Sequence, residues 1–397
     1  MLRNRKVVFV LLLVTLTGCF YTHTGGPAAP QEPRLHVQQA EPPARGMQPS
    51  PRAVPEKPEV NKATLAAIGD VLIHSEVYQD AKQKDGTYNF TGMFEAVRPY
   101  MQAPDILVAN QETMIGGAAL RLSGYPAFNS PHEVGDALKA AGVDVVTVAN
   151  NHTLDRGEKV IQSALSYWDV LGIPYTGAYK SQEDRQKIRT LTVNKITFSF
   201  LSYSYGTNGI RQPKGKSYLI NRIDMPQMAH DVAQAKLASD VVVVAMHWGN
   251  EYEPLPNDSQ KALAYKLAEL GVHIIIGNHP HVLQPPAWVT ARNGHKTFVL
   301  YSLGNFISAQ GGIPKRTGGI ASILVKKIST KESSRIELSQ PAFLPTFTYY
   351  RQMAEYKVFP LSKLSNGQLS GVKLHESQLR KHMRTYIQDL AFNDGSI

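Results

Sequence analysis

Val241-Val-Val-Val-Ala-Met-His247-Trp-Gly-Asn-Glu251, followed after a polar interval by Val272-His-Ile-Ile-Ile-Gly-Asn-His279-Pro-His281, is the stretch that decides the fold. Both segments begin as short, apolar, β-branched runs and end in histidine. Runs of that length and type suit strands buried on both faces, and Ser259 to Leu270 between them suits a crossover helix. In such βαβ units ligand groups gather beyond the carboxyl ends of the parallel strands. Three imidazoles therefore arrive at one sheet edge. Pro280 biases His279 toward extended backbone, in which residues i and i+2 face the same way, so His279 and His281 are expected to share one site.

Working outward, the same pattern recurs upstream. Thr64 to Ile68 reads as a strand ending in Gly69-Asp70, with His74 four residues on, and a helical pattern surrounds Met93 to Met101. Asp105 to Ala109 is a second buried run, ending in Asn110-Gln-Glu112. Pro131 to Ala141 reads as a helix capped by Ser130. Val143 to Ala149 is a third run, ending in Asn150-Asn-His152, and Lys159 to Leu171 has apolar residues at helical spacing. Arg189 to Tyr203 alternates around Asn194-Lys195 as an antiparallel hairpin. Asp224 to Ala238 reads as helix, and Thr297 to Phe306 as one strand. Gly319 to Lys327 and Arg335 to Phe343 read as two antiparallel strands, and Ser377 to Leu390 as a closing helix. Strands alternating with helices, interrupted by hairpins, predict an α/β (α+β) fold of two packed sheets with helices outside.

The chemistry lies in how the strand runs end. Asp70, Glu112, Asn150/His152, His247 and His279/His281 close five apolar runs. A strand-end Asp is usually a turn former, Asn-Asn usually a turn, and His247 beside Trp248 could simply be packed. Their joint occurrence in successive βα units is what favours a site. Carboxylates, an amide oxygen and imidazoles suit borderline divalent metals, Mn, Fe or Zn. The set is large enough for two ions sharing a bridging carboxylate, a pairing that clamps attacking and leaving oxygens in displacement at phosphorus. Asn110, Glu251 and Asn305, beside these positions, are candidates for a substrate-binding rim, with Tyr125 and Tyr205 in nearby aromatic loops. His273, alternating with Ile274, reads as structural.

The N-terminus carries a processing signal. Arg3, Arg5 and Lys6 precede the apolar run Val7 to Leu13, too short to span a bilayer as a mature helix. Residues 20–61 hold nine prolines and no apolar periodicity, which makes them an extended spacer that cannot build a core. The chain of 397 residues is 43% apolar and carries a formal charge of +10, three of it in the leader. No dense Lys/Arg block occurs, so no nucleic-acid partner is expected, whereas weak attraction to an anionic polymer is compatible with the charge. The only cysteine is Cys19, which excludes a disulfide within the chain.

Leu16-Thr17-Gly18-Cys19 resembles a bacterial lipoprotein signal, which implies cleavage before Cys19, lipidation of its thiol and residence at the extracytoplasmic face of a membrane. Ile68-Gly-Asp70, Asn110-Gln-Glu112, Ala149-Asn-Asn-His152, His247-Trp-Gly-Asn-Glu251, Gly277-Asn-His-Pro-His281 and Ser302-Leu-Gly-Asn-Phe306 together resemble the poly-γ-glutamate capsule biosynthesis proteins of the CapA/PgsA type. That family's fold is similar to calcineurin-like metallophosphoesterases, a four-layer αββα sandwich. The resemblance implies a division into signal 1–19, spacer 20–61, capsule-synthesis domain 62–361 and a C-terminal helical extension 362–397. It also implies that Asp70, Glu112, Asn151, His247, His279 and His281 are metal ligands and that His152 is the catalytic acid. The superfamily's usual histidine two residues after the aspartate is Leu72 here, so His74 is the candidate for that role. Glu112 stands where an aspartate is usual.

Three functions are compatible with these readings. The first is a lipid-anchored protein of poly-γ-glutamate capsule synthesis or export, which by the family's resemblance works with membrane synthase proteins. The second is a free-standing metal-dependent hydrolase of phosphoesters or amides, and the third a non-catalytic binding scaffold.

Overall fold

The computed structural model describes residues 58–393, together with Gly26. Cys19 and the spacer up to residue 57, apart from Gly26, lie outside the described residues.

The described chain begins with β1 (Glu59–Val71), α1 (Ser75–Asp80), α2 (Thr91–Phe94), α3 (Arg98–Met101) and β2 (Ile106–Gln111). α4 (Glu133–Ala141), β3 (Val145–Thr147), α5 (Gly157–Leu171) and β4 (Tyr175–Thr176) continue the alternation. A short α6 (Gln182–Arg185) leads into the hairpin β5 (Arg189–Val193) and β6 (Ile196–Ser204). Next come α7 (Met225–Ala238), β7 (Val241–His247), α8 (Asp258–Glu269) and β8 (Ile274–Asn278). Five short strands follow: β9 (Leu283–Gln284), β10 (Ala287–Thr290), β11 (Lys296–Leu300), β12 (Ser302–Leu303) and β13 (Asn305–Ile307). The chain closes with α9 (Ile313–Arg316), β14 (Thr317–Ser329), β15 (Ser334–Arg351), β16 (Ala354–Pro360), α10 (Val372–Met383) and β17 (Ala391–Phe392).

Two large sheets result. The first runs β16-β15-β14-β1-β2-β3-β4, with β13 also on β1 and β17 on β15. The second runs β10-β11-β8-β7-β6-β5. In the first, parallel strands β1 to β4 make one side and antiparallel β14, β15 and β16 the other; in the second, parallel β6, β7, β8 and β11 form the centre and antiparallel β5 and β10 the two edges.

The layering follows from the two-residue period of strands. Leu65 and Ala67 of β1 bury against Phe198 and Phe200 of β6 and Val241, Val243 and Ala245 of β7, filling the space between the sheets. Their neighbours Ala66 and Ile68 face the other way, into a core with Val134, Leu138, Ile161, Leu165 and Trp168 of α4 and α5. Val242, Val244 and Met246 pack with Val232 and Ala235 of α7 and Ala264 and Leu267 of α8. The order is therefore helix, sheet, sheet, helix: an αββα sandwich. β-Branched strands buried on both faces are what this arrangement requires of β7 and β8.

Local signals set several boundaries. Asp224 caps α7 by accepting from Gln227 N at 3.0 Å. Asn257 and Gln260 form a reciprocal capping box at the start of α8, satisfying two otherwise orphaned backbone donors. His273, just before β8, accepts from Val242 N through Nδ1 at 3.1 Å and is a structural residue.

Other expectations need correction. β1 starts at Glu59, so the last residues read as spacer are strand. The pattern around Met93 to Met101 is two short helices rather than one. α4 begins at Glu133 with His132 at its cap position, and Ser130 instead hydrogen-bonds Thr113 Oγ1 at 2.8 Å. Thr297 to Phe306 is not one strand, because the chain breaks at Tyr301 and at Gly304, whose φ is +63°. The final helix spans Val372–Met383, earlier than expected, and residues 362–393 are not only helical, since β17 pairs in parallel with β15.

Candidate metal centre

Asp70 ends β1, where two strands flank it in register: Asn110 of β2 on one side and Asn305 of β13 on the other. Gly69 makes this possible, because a Cβ there would stand 2.0 Å from Gly304 O, too close for any other residue without backbone movement. Asp70 N donates to the same Gly304 carbonyl at 2.9 Å.

The three in-register side chains form a connected set. Asn110 Nδ2 donates to Asp70 Oδ1 at 2.8 Å and receives Thr147 Oγ1 at its own oxygen at 3.2 Å. His281 Nδ1 lies 3.1 Å from Asp70 Oδ2 and 2.9 Å from Asn305 Oδ1. Asn305 Nδ2 donates to Gln310 Oε1 and to Lys315 O. Asn278, with its amide nitrogen turned toward Asp70, donates to Oδ1 at 3.3 Å. Asn110 and Asn305, both read as candidates for the substrate rim, are buried and hydrogen-bonded to Asp70 and His281, positions suited to orienting those side chains. Glu251, the third rim candidate, is exposed, and its carboxylate converges with His279 and His281.

Ligand-type atoms meet in three overlapping groups, in each of which they lie within 4.8 Å of one another: Asp70, Glu112 and His281; Glu112, His247 and His279; Glu251, His279 and His281. Glu112 belongs to the first two. It lies just beyond β2, fully buried, with Oε1 3.6 Å from His247 Nε2 and 3.7 Å from His281 Nε2. Neither of its oxygens has a hydrogen-bond partner among the described residues, nor do His247 Nδ1 and His279 Nδ1. Asn151 joins from the loop after β3, its Oδ1 2.8 Å from His247 Nε2.

His279 and His281 do reach one site, but not by extended backbone. Their φ angles are +99° and +58°, a region that non-glycine residues seldom occupy. The kink is held from several sides: His279 N points at Asp70 Oδ2 at 3.4 Å, and Pro280 O accepts from Tyr252 N at 2.7 Å. Strain of order 1–3 kcal/mol per residue persists at functional sites because the surroundings over-determine it.

Burial and mutual contact shift the titrations of these groups in opposite directions. Burial, and then the neighbouring Asp70, push the Glu112 carboxyl well above the usual range. Burial and the other imidazoles hold His247 well below its ordinary value and His279 down at about 3. Burial alone would lower His281 too, but Glu112 and Asp70 outweigh it and raise the imidazole to about 9. Neutral imidazoles and a buried carboxylate without partners are costly in a protein interior and are what a divalent cation compensates.

His152 stands beside this cluster. Its Nδ1 is 2.7 Å from Asp155 Oδ2, its ring edge meets Phe128 with centroids 4.7 Å apart, and Asn208 Nδ2 approaches the same Nδ1 at 3.4 Å. Asn208 also accepts from Asn151 Nδ2 at 3.2 Å, linking the acid candidate to the cluster. His74 is not part of any converging group. Its Nδ1 lies 3.1 Å from Leu72 O, its ring packs edge-on to Phe128, and burial lowers its pKa.

Sequence reading missed Asp155, Asn208 and Asn278. Asp155, three residues after His152 in a turn-rich segment, was the most findable. Of the two loop tyrosines, Tyr205 is partly exposed with its ring 4.5 Å from His279, whereas Tyr125 is largely exposed.

An αββα sandwich thus brings buried carboxylates, an amide and imidazoles from its strand ends to one point, a set of side chains able to hold a divalent metal. The family described as "Bacterial capsule synthesis protein PGA_cap" matches residues 64–310, and the chain belongs to it. It is 29% identical to the PGA biosynthesis protein CapA of Bacillus subtilis over 276 residues, covering 66% of this chain and 68% of that one. It is 28% identical to the capsule biosynthesis protein CapA of Bacillus anthracis over 64% of this chain and 61% of that one. Among solved structures, a 5'-nucleotidase precursor from Thermus thermophilus is similar over 70% of this chain and 54% of its own, at 14% identity and a TM-score of 0.40.

Proposed function

We propose that this chain is a lipid-anchored, extracytoplasmic protein of poly-γ-glutamate capsule synthesis or export, working through divalent cations held at the Asp70/Glu112 cluster. The carrying observation is Glu112: a fully buried carboxylate with two unpartnered oxygens, common to the Asp70/His281 and His247/His279 groups. Asp70, Glu112 and His281, and with them Asn151, His247 and His279, would be the residues that hold the cations, Glu112 being common to both groups. The donor set of oxygens and imidazoles fits Mn, Fe or Zn. Such ions, when bound, supply Lewis acidity and hold oxygen groups for displacement.

The protein's own groups divide the remaining work. Asn110, Asn278 and Asn305 orient Asp70 and His281. Asp155 fixes the His152 ring through Nδ1, which leaves Nε2 to hold or release a proton. The capsule assignment is supported by the family and by the names its relatives carry. The membrane assignment rests on the leader and Cys19; among the described residues no helix is long and apolar enough to cross a membrane. Membrane synthase proteins are the expected partners, and the positive charge that remains once the three leader cations are removed from the chain's +10 suits an anionic polymer.

The His152–Asp155 pair favours a second reading, a free-standing hydrolase of phosphoesters or amides. One experiment addresses both. Metal content of the purified chain should be at least one divalent ion per molecule, and deletion of the gene in its own host should abolish surface polymer. Polymer that persists unchanged, with metal bound and phosphodiester turnover measurable, would replace the first reading by the second.

A further inference from the structure

The mouth of the cluster carries a cation whose placement the proposed function has not used. Tyr252 follows Glu251, and its backbone N–H is tied to Pro280 O, inside the His-Pro-His segment. Tyr252 is 47% exposed, and its ring centroid lies 6.2 Å from that of His281. Over this ring, 4.7 Å from the centroid, sits Lys315 Nζ. The lysine backbone is fixed as well: Lys315 O accepts from Asn305 Nδ2 at 2.9 Å, while Asn305 Oδ1 lies 2.9 Å from His281 Nδ1. Tyr252 and Lys315 are thus both tied to His281, one through Pro280 and the other through Asn305.

A ring face attracts an ammonium without occupying its directed N–H donors. Lys315 makes no ion pair among the described residues, so its donors remain for a ligand. An ammonium offers donors and no acceptor, and its complement is an anionic oxygen group.

We propose that Lys315, steadied by Tyr252, receives a carboxylate or phosphate oxygen of the substrate beside the bond that lies at the cluster. This rests on the functional reading above, since it requires substrate to reach the cluster. Lys315 is then a substrate-binding residue that selects for charge at the position flanking the reacting bond.

The test uses the full chain with Lys315→Gln, Lys315→Arg and Tyr252→Leu, metal content being measured for each. Two probes separate the sources of the anion: fluorescently labelled poly-γ-glutamate, read by anisotropy, and 1,2-ethanediol bisphosphate, an ester whose second phosphate flanks the scissile one, read by phosphate release. Losing one charge-assisted hydrogen bond should weaken binding about tenfold for Lys315→Gln, with Lys315→Arg retaining most of it and Tyr252→Leu falling between. A rise confined to the polymer Kd identifies a carboxylate; a rise confined to the ester KM identifies a phosphate. If the wild-type chain engages either probe and Lys315→Gln matches it on both, the proposal falls while the functional reading stands. A wild-type chain that holds metal but engages neither probe removes the functional reading and this proposal with it.

Discussion

Asn151 Oδ1 and His247 Nε2 stand 2.8 Å apart, although they come from the ends of β3 and β7 in opposite sheets. In the metal-free chain the contact is a hydrogen bond in which the imidazole donates to the amide. With a cation among Glu112, His247 and His279, amide oxygen and imidazole nitrogen become neighbouring donors to it. Asn151→Ala should therefore weaken metal affinity by roughly tenfold or more. A competition titration against a chelator reads this directly, and an unchanged affinity would dismiss Asn151 as a ligand.

The pH dependence of stability follows from His281. Its folded pKa of about 9 exceeds the ordinary 6.5, because Glu112 and Asp70 outweigh the lowering effect of burial. The folded state holds that proton more tightly, so the contribution is complete below pH 6.5 and vanishes as pH rises through about 9. Glu112, raised by burial and then by Asp70, acts in the same direction. His247 and His279, both lowered chiefly by burial, act oppositely, but their contributions are already complete above 6.5. Between pH 6.5 and 9 the metal-free protein should lose on the order of 3 kcal/mol. Bound divalent metal should flatten the loss. Urea midpoints across that window, in chelator and in manganese, measure both; a flat metal-free profile would contradict the assignment.

His74 provides a contrast. Its Nδ1 faces Leu72 O, and its ligand atoms join no converging group. His74→Ala should leave metal content at the wild-type level, whereas His281→Ala should abolish it, both read by elemental analysis after dialysis. Loss of metal in His74→Ala would restore the role that the sequence resemblance gave it.

The strands were readable wherever burial on both faces demanded β-branched runs, as in β7 and β8. The layer order followed, since alternate residues of β1 and β7 must serve two cores. What the sequence could not display is lateral register. Asn110 and Asn305 sit beside motif residues in the chain, but only strand pairing reveals that both flank Asp70 and are buried. Backbone handedness was equally hidden: Pro280 favours an extended predecessor, yet tertiary contacts hold His279 at φ +99°. Short strands such as β12 and β13 have too few residues for a period and merged with β11 on reading. Asn208 was invisible because it reaches His152 from 56 residues away, through loop geometry alone; Asp155, three residues from His152, offered at least its spacing.

Lipidation can be tested apart from chemistry. Cys19→Ser should move the protein from the membrane fraction to the soluble extracytoplasmic fraction, since a lipid chain contributes roughly 0.8 kcal/mol per buried methylene. Fractionation followed by immunodetection reads the outcome, and a variant that stays with the membrane would point to another anchor.

Asp155 separates an acid catalyst from a packed histidine. Its Oδ2 lies 2.7 Å from His152 Nδ1 and also accepts from Phe128 N at 2.9 Å, so one carboxylate fixes both the imidazole and the ring against which it packs. Asp155→Asn preserves shape but replaces the charged acceptor with an amide, which weakens support for an imidazolium at His152. If His152 protonates a leaving group, turnover should fall by about 10²- to 10⁴-fold, with metal content unchanged. His152→Ala should be at least as impaired. Equal turnover in wild type and both variants, with metal intact, would leave the His152–Asp155 pair a structural contact and take proton donation away from it.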